Sequence, residues 1–240
     1  MKAGIISAGM GERLAPGFSM PKPMVPICGE PMIGRLIRVV KEAGISSLCC
    51  IINEQSPMTE KYLTTQEWPL DFELVKKTTD NSLESLFTLA PLLKGGPFLL
   101  LTVDTVFRPL TLKRFLAGTA ALPYAQGVLA VTRFSDDEKP LRVEADRDHR
   151  VRRIGHEDEG PGTVTAGFYR FDPSVFDFVE AAWARRLTAL RQFLCFLPEV
   201  GFRLYAISVA KTIDVDQPED VAAAEDYLRD RGAVKTPWSE

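Results

Sequence analysis

A glycine-rich stretch near the N-terminus, IISAGMGERL, follows a short apolar run and contains residue types that bind phosphate. Gly9 and Gly11 let backbone N–H groups approach an anion, and Arg13 adds a positive charge beside them. Leu14 stands where a dinucleotide-binding loop needs its third glycine. Glu12 follows Gly11 where a Walker A loop has lysine. The pattern therefore predicts a phosphate-binding turn of neither kind, and it disfavours a Rossmann oxidoreductase.

A second basic residue, Lys22, lies in the proline-rich stretch MPKPMVPICGEPMI. Pro21, Pro23 and Pro26 restrict the backbone around it, and we expect a stiff loop that is not helical. A stiff loop can hold a lysine over a ligand at a small entropic cost. The sequence predicts that Arg13 and Lys22 act on the same polyphosphate.

The first half of the chain alternates apolar runs with amphipathic segments. Strands are predicted at 2–7, at 47–53 and in PFLLLTVD, which ends at Asp104. Helices are predicted at 31–43 and in NSLESLFTLAPLL, with Asn81 as N-cap. This order indicates a parallel sheet with helices on both faces, whose sites lie beyond the carboxyl ends of the strands. The glycine loop and Asp104 should therefore meet at one edge.

The second half of the chain has a different pattern. QGVLAVT, LRVEAD, HRVRRI and TAGFYRF are short strand-like runs, which predict a small antiparallel excursion from the parallel sheet. Helices are expected at 173–184 and 188–196, then a strand in RLYAISV and a closing helix in DQPEDVAAAEDYLRD. The predicted fold is one α/β domain over 1–240, with a Rossmann-like, mostly parallel sheet flanked by helices.

Together, SAGMGERL and PKPMVPICGEPMI resemble the signature of nucleotidyltransferases that join an NTP to a phosphorylated small molecule. These include the sugar-phosphate nucleotidylyltransferases and the cytidylyltransferases of choline, inositol and other polyol phosphates. TTDNSLESLF, LLLTVD, TAGFYRF and TIDVDQPEDVAAAEDYL resemble later elements of the family. Val103 replaces a usual glycine, and Gln217 replaces a usual threonine. The resemblance covers nearly the whole chain and is strongest over the first 33 residues.

The resemblance implies the nucleotide-diphospho-sugar transferase type of fold. Residues 1–120 would form the NTP-binding half, 121–215 the acceptor-binding half and 216–240 the C-terminal helix. It implies Mg²⁺-dependent transfer of NMP from CTP, UTP or GTP to a sugar-1-phosphate or to a polyol or amino-alcohol phosphate, with release of pyrophosphate. Positioning and electrostatics carry such a reaction, so no nucleophilic side chain is required.

The resemblance also assigns roles to individual residues. Arg13 would hold the departing β- and γ-phosphates, and Lys22 would stabilise charge at the α-phosphate. Asp104 and Asp214 would hold Mg²⁺, and Asp216 remains an alternative because it faces the same side of an extended segment. The predicted nucleotide-binding residues are Ser7, Ala8, Gly9, Met10, Gly11, Glu12, Asn81 and Ser82.

The acceptor side departs from the family pattern. Many sugar-specific relatives carry a glutamate and then a lysine after the stretch that is HRVRRI here, but this chain reads GHEDEG. His156 or Glu157 replaces the glutamate, no lysine follows, and the acceptor phosphate needs another cation. This departure weakens the prediction that the acceptor is a standard hexose-1-phosphate. The candidate acceptor-binding residues are His156, Glu157, Gly167, Arg152, Arg153 and Lys211.

The composition of the 240-residue chain argues against several other classes of protein and kinds of metal site. A net charge of −3 gives no basic field for nucleic acid or an anionic membrane, and no stretch approaches 18 uninterrupted apolar residues. The four cysteines show no CxxC spacing, and two histidines exclude a histidine-rich metal site. Met1 and Lys2 lead directly into the first strand, which argues against a signal peptide. We expect a cytoplasmic protein, and the oligomeric state stays open.

Two related functions compete with catalysis of this kind. A degenerate relative could bind a nucleotide sugar as a regulator without turnover, but Arg13, Lys22, Asp104 and Asp214 argue against it. A molybdopterin-type nucleotidyltransferase is disfavoured by the Pro21-Lys22-Pro23 form of the lysine loop.

Overall fold

The computed structural model describes residues 1–9, 14, 17–134, 140–155 and 162–230 of the chain. The strands in these ranges are β1 (Lys2–Ser7), β2 (Pro26–Ile27), β3 (Glu30–Pro31), β4 (Ser47–Ile52), β5 (Asp71–Lys76), β6 (Phe98–Thr102), β7 (Thr105–Val106), β8 (Gly127–Thr132), β9 (Arg142–Ala145), β10 (Val151–Gly155), β11 (Thr163–Phe171), β12 (Leu204–Ser208) and β13 (Ile213–Asp214).

The helices in the same ranges are α1 (Met32–Glu42), α2 (Pro57–Thr65), α3 (Ser82–Leu93), α4 (Pro109–Ala120), α5 (Val179–Ala184), α6 (Leu190–Glu199) and α7 (Pro218–Arg229). Two 3-10 helices occupy Lys22–Met24 and Pro173–Phe178. None of the helices in the described part of the chain is long and apolar enough to span a bilayer.

The centre of the main sheet is parallel, in agreement with the predicted α/β class. β6, β1, β4 and β5 lie side by side in parallel register, with β1 between β6 and β4. Ser7 is opposite Ile52, and Ile6 is opposite Thr102. The carboxyl ends of β1 and β6 therefore reach the same edge, which brings the start of the glycine loop towards Asp104.

The predicted antiparallel excursion is also confirmed. β11 pairs antiparallel with β6 and continues the sheet through β9 to β10. β8 pairs antiparallel with β11 and parallel with β12. These strands extend the parallel centre rather than form a separate layer, so they border the edge at which Asp104 lies.

Two apolar cores cover the two faces of the sheet. Along β6, Phe98 and Leu100 face the core that contains α3 and α6, whereas Leu99 and Leu101 face the core that contains α1 and α4. This alternation is what a strand covered on both faces requires.

A third, small core lies under the lysine loop, and it is called here the small core. Its buried residues are Leu14, Val25, Ile27, Met32, Val106, Ile213, Val215 and Ala224. Besides Leu14, three parts of the chain that are far apart in sequence contribute to it: the lysine loop with α1, then β7, and the segment from β13 to α7. It therefore fixes the segments that bear Lys22, Asp104 and Asp214 relative to one another.

Some local expectations need correction. Lys22–Met24 forms one turn of 3-10 helix, although the prolines were expected to exclude helix. A 3-10 turn tolerates them because proline at its second position has no N–H to leave unpaired. The helix predicted from 31 begins at Met32, with Pro31 as its N-cap. The helix predicted at 173–184 is divided into a 3-10 segment and α5.

Candidate active site

Three aspartates meet beyond the carboxyl end of β6. One carboxylate oxygen from each of Asp104, Asp214 and Asp216 lies within 4.8 Å of the others. A short antiparallel ladder produces this approach, because β7 pairs with β13 and places Thr105 opposite Asp214. The backbone N–H of Val215 also donates to the carbonyl of Asp104 at 3.0 Å. Oxygen ligands clustered in this way suit a hard divalent cation.

Lys22 lies between two of these carboxylates. Its Nζ donates to Asp104 Oδ2 at 2.7 Å and to Asp216 Oδ1 at 2.6 Å, and its side chain is 10% exposed. Burial by itself would lower the pKa of Lys22, but Asp104 and Asp216 outweigh it and raise that pKa above its usual value. Lys22 is therefore a fixed positive charge at this site.

The contact between Lys22 and Asp104 lowers the pKa of Asp104. Burial would raise the pKa of its carboxyl, but the Lys22 ammonium and hydrogen bonds outweigh burial and hold that pKa below its usual range. Asp104 is therefore ionised at neutral pH and can serve as a charged ligand.

The first turn of α7 positions Asp216. Asp220 Oδ2 accepts hydrogen bonds from the backbone N–H groups of Asp216 and Gln217, at 2.9 and 2.7 Å. This carboxylate satisfies two amides that precede the helix. The Asp216 backbone is thereby fixed beside Lys22, although the two residues are 194 positions apart.

A cavity of about 950 Å³ opens beside the aspartates. Asp104, Asp214 and Asp216 line it from one side, and Gly167 and Tyr169 of β11 line it from another. Its size is typical of small-molecule sites.

Gly167 allows β11 to pass close to the Asp104 segment. Its φ is +77°, and a Cβ at this position would overlap Thr105 Oγ1. The register between β11 and β8 shifts between Thr165 and Tyr169, so Gly167 lies in a bulge. Only glycine combines this backbone conformation with so close an approach.

Asn81 and Ser82 lie at the start of α3, as predicted, and both side chains have structural partners. Asn81 Oδ1 accepts from the N–H groups of Leu83 and Glu84 at 3.1 and 2.9 Å, which confirms the predicted N-cap. Ser82 lines the cavity, and its Oγ accepts from the N–H of Leu190 at 2.9 Å. Their nucleotide-binding roles stay predictions.

The glycine loop is described only at its start. Ser7 is buried at the end of β1, and its Oγ has no hydrogen-bond partner among the described residues. A buried hydroxyl without a partner is unusual in a folded protein. Gly9 is exposed, and Ala8 accepts from Asn53 Nδ2 at 3.4 Å. Met10, Gly11, Glu12 and Arg13 lie outside the described residues.

A family model described as nucleotidyl transferase matches residues 2–194. The chain belongs to the nucleotidyl transferase family. Mannose-1-phosphate guanylyltransferase 1 of Arabidopsis thaliana is 30% identical over 203 residues, which cover 75% of this chain and 52% of that protein. The bifunctional protein GlmU of Methanocaldococcus jannaschii is 26% identical over 240 residues, which cover 96% of this chain and 55% of that protein. The chain thus spans about half the length of these relatives.

Solved structures of the nucleotidyl transferase type share the fold. The inositol-1-phosphate CTP transferase from T. maritima has a TM-score of 0.80 at 18% identity, with 97% of each chain covered. The CTP:phosphocholine cytidylyltransferase from Streptococcus pneumoniae has a TM-score of 0.75 at 18% identity, covering 95% of this chain and 99% of that one. At such identities the similarity establishes the fold only.

Of the predicted acceptor residues that the structure describes, Gly167 lines the cavity. Arg153 and Lys211 are not among the described residues that line the cavity. Arg152 pairs with Asp146 at 2.6 Å, at a largely exposed position. His156 and Glu157 lie outside the described residues.

Sequence reasoning missed Arg191, which is the cationic residue among the described residues lining the cavity. It is in the first turn of α6. Burial raises the pKa of Tyr169 to about 12; Arg191 opposes that shift, whereas Asp214 and Asp104 add to it. The phenol therefore lies within the fields of both Arg191 and the aspartates. The sequence signal was a basic residue at the start of a predicted helix, which is too common to single out.

Proposed function

We propose that the chain catalyses Mg²⁺-dependent transfer of a nucleoside monophosphate from an NTP to the phosphate of a small sugar or polyol, releasing pyrophosphate. One observation carries this proposal: three aspartates and Lys22 converge at the sheet edge where the glycine loop begins. The relatives named for mannose-1-phosphate, inositol-1-phosphate and phosphocholine transfer support the same reaction class.

The proposed metal fits the donor set. Asp104 and Asp214 would hold Mg²⁺, since carboxylates together with phosphate oxygens and water are the ligands this ion prefers. When bound, Mg²⁺ would neutralise phosphate charge and orient the leaving pyrophosphate. We therefore propose that the reaction requires Mg²⁺.

The side chains of the protein then have distinct tasks. Lys22 would move from the carboxylates to the α-phosphate, where negative charge accumulates as the acceptor oxygen attacks phosphorus. Ser7, whose buried hydroxyl has no partner in the described part of the chain, would donate to the triphosphate. The backbone from Ala8 to Gly11 and the Arg13 guanidinium would hold the β- and γ-phosphates. No covalent intermediate on the protein is needed.

We assign the acceptor phosphate to Arg191. It lies on the wall of the cavity, which it shares with Gly167 and Tyr169, and the cavity leads to the aspartates. A guanidinium can bind two phosphate oxygens at once and so orient the attacking oxygen. The lysine missing after position 157 would thus be replaced by a cation from another element.

The reaction is tested by measuring pyrophosphate release with CTP, UTP, GTP and ATP, each against a panel of phosphorylated acceptors in Mg²⁺. The panel includes mannose-1-phosphate, glucose-1-phosphate, inositol-1-phosphate and phosphocholine. We expect release with at least one nucleotide–acceptor pair and none without acceptor. A folded protein that releases no pyrophosphate with any pair would contradict the proposal.

Replacing Arg191 by methionine should raise the KM for the acceptor by about 10- to 100-fold, because a charge-assisted contact to phosphate is lost. The KM for the NTP should stay within about threefold. Initial rates at varied acceptor and fixed saturating NTP measure this difference.

Arg153→Met is the matched control for Arg191→Met, since Arg153 was one of the cations expected from the sequence and lies at an exposed position of β10. It should leave both KM values unchanged. If Arg153→Met raises the acceptor KM and Arg191→Met does not, the acceptor phosphate binds at β10 and the assignment to Arg191 is wrong.

The proposed compartment is the cytoplasm. The four cysteines are free, and Cys49 and Cys50 are buried, which supports a reducing environment.

A further inference from the structure

The Lys22 ammonium lies against two of the three carboxylates that could hold a metal ion. Its Nζ lies within hydrogen-bond distance of Asp104 Oδ2 and Asp216 Oδ1. The same two residues, with Asp214, form the cluster suited to a cation. A divalent ion that bound these oxygens would meet a like charge at close range, so the lysine and the ion exclude each other.

The lysine cannot leave this position without a new partner. Its side chain is nine-tenths buried, and a buried ammonium that loses both carboxylates is strongly unfavourable. The backbone around Lys22 is restricted, because Lys22 lies in a 3-10 turn whose N-cap is Pro21 and which contains Pro23. Val25 of the same loop is anchored in the small core. Only the side-chain torsions of Lys22 can move the charge.

We propose that Lys22 closes the metal site in the nucleotide-free protein, and that an NTP opens it by offering the ammonium a phosphate partner. The divalent cation then binds together with the nucleotide rather than before it. This inference rests on the proposed function, because it takes Asp104 and Asp214 as the metal ligands. It goes further by giving Lys22 a second task and by fixing the order of binding.

Asp216 has a specific role in holding Lys22 over the metal site. Asp104 alone would have to hold the lysine and the metal in turn, whereas Asp216 adds a second anchor for the ammonium. The cap from Asp220 holds the Asp216 backbone where Lys22 can reach it. Residues 104, 216 and 220 therefore hold the lysine in place, and Asp214 completes the metal site that it closes.

The test is Mn²⁺ binding to the full chain, measured by electron paramagnetic resonance of the free ion. Titrations are made with and without a non-hydrolysable NTP analogue, after correction for Mn²⁺ bound by the analogue alone. In the absence of nucleotide, Lys22→Met should bind Mn²⁺ at least about tenfold more tightly than the wild type. The analogue should tighten Mn²⁺ binding to the wild type and have a much smaller effect on Lys22→Met.

A further variant distinguishes occupancy of the site by Lys22 from the effect of positive charge in general. Arg191→Met removes a positive charge from the same cavity, and it should leave the nucleotide-free Mn²⁺ affinity within about threefold. If it tightens binding as much as Lys22→Met does, a general field explains the effect and the inference fails. Lys22→Gln replaces Lys22→Met if the methionine variant does not fold, as judged by circular dichroism.

Failure of this inference can be distinguished from failure of the proposed metal site. Equal nucleotide-free affinities in the wild type and the Lys22 variants would overturn this inference, while the proposed reaction would stand if pyrophosphate is released. Absence of Mn²⁺ binding by every protein, even with the analogue, would overturn both the inference and the proposed metal site.

Discussion

Asp104→Asn is expected to lower kcat/KM by about 10³-fold, because the proposed metal loses a charged ligand while the shape of the side chain is kept. Asp104 is ionised at neutral pH, since its pKa is held below the usual range chiefly by Lys22 against the effect of burial. The amide cannot replace that charge. Steady-state rates of pyrophosphate release measure the loss, and urea unfolding shows whether the fold is retained.

The loss should be specific to this aspartate. In Asp104→Asn, Lys22 keeps its 2.6 Å contact with Asp216, so the ammonium is not left unpaired and the variant should fold. Asp226→Asn on α7 is the matched control, because Asp226 is 81% exposed and pairs only loosely with Arg229 at 3.5 Å. Full activity in Asp104→Asn would remove Asp104 from the metal site.

Gly167→Ala is expected to combine a large loss of stability with a loss of activity. An alanine at φ +77° costs about 1–2 kcal/mol, and the overlap of its Cβ with Thr105 adds about 1–3 kcal/mol of overpacking. Thr105 neighbours Asp104 and pairs with Asp214, so its displacement should also disturb the aspartate cluster. Urea unfolding and pyrophosphate release, measured on the same preparation, give both effects.

Gly201→Ala separates the two causes of that instability. Gly201 has a similar φ of +79°, but nothing lies within 4 Å of a Cβ placed there. It should show the conformational cost alone and keep full activity. If both alanine variants lose the same free energy of unfolding, the close approach of β11 to Thr105 does not contribute to the loss.

The parallel centre of the fold could be predicted because its signals are local. β1, β4 and β6 are almost wholly buried and read as continuous apolar runs. β5 was not predicted, because it lies at the edge of the sheet and alternates exposed and half-buried residues. α2 and α4 were also missed, and each has a weak apolar stripe with few buried residues.

The candidate site was predictable in its residue types but not in its contacts. The motif order predicted Lys22, Asp104 and Asp214, and the structure brings all three together. The Lys22–Asp216 pair joins residues from opposite ends of the chain, and no local pattern encodes such a contact. Arg191 was missed for the same reason, because its importance depends on which cavity α6 borders.

The small core also determines when the site can form during synthesis. Its N-terminal members, such as Val25 and Ile27, complete their apolar contacts only when Ile213, Val215 and Ala224 have been made. The parallel centre pairs strands that end by Thr102 and can form earlier, whereas this junction must await α7. A nascent chain therefore has Asp104 available to Lys22 well before Asp216, the second carboxylate partner, has been made. Loss of α7 would remove Ala224 from the small core and the Asp220 carboxylate that holds the Asp216 backbone.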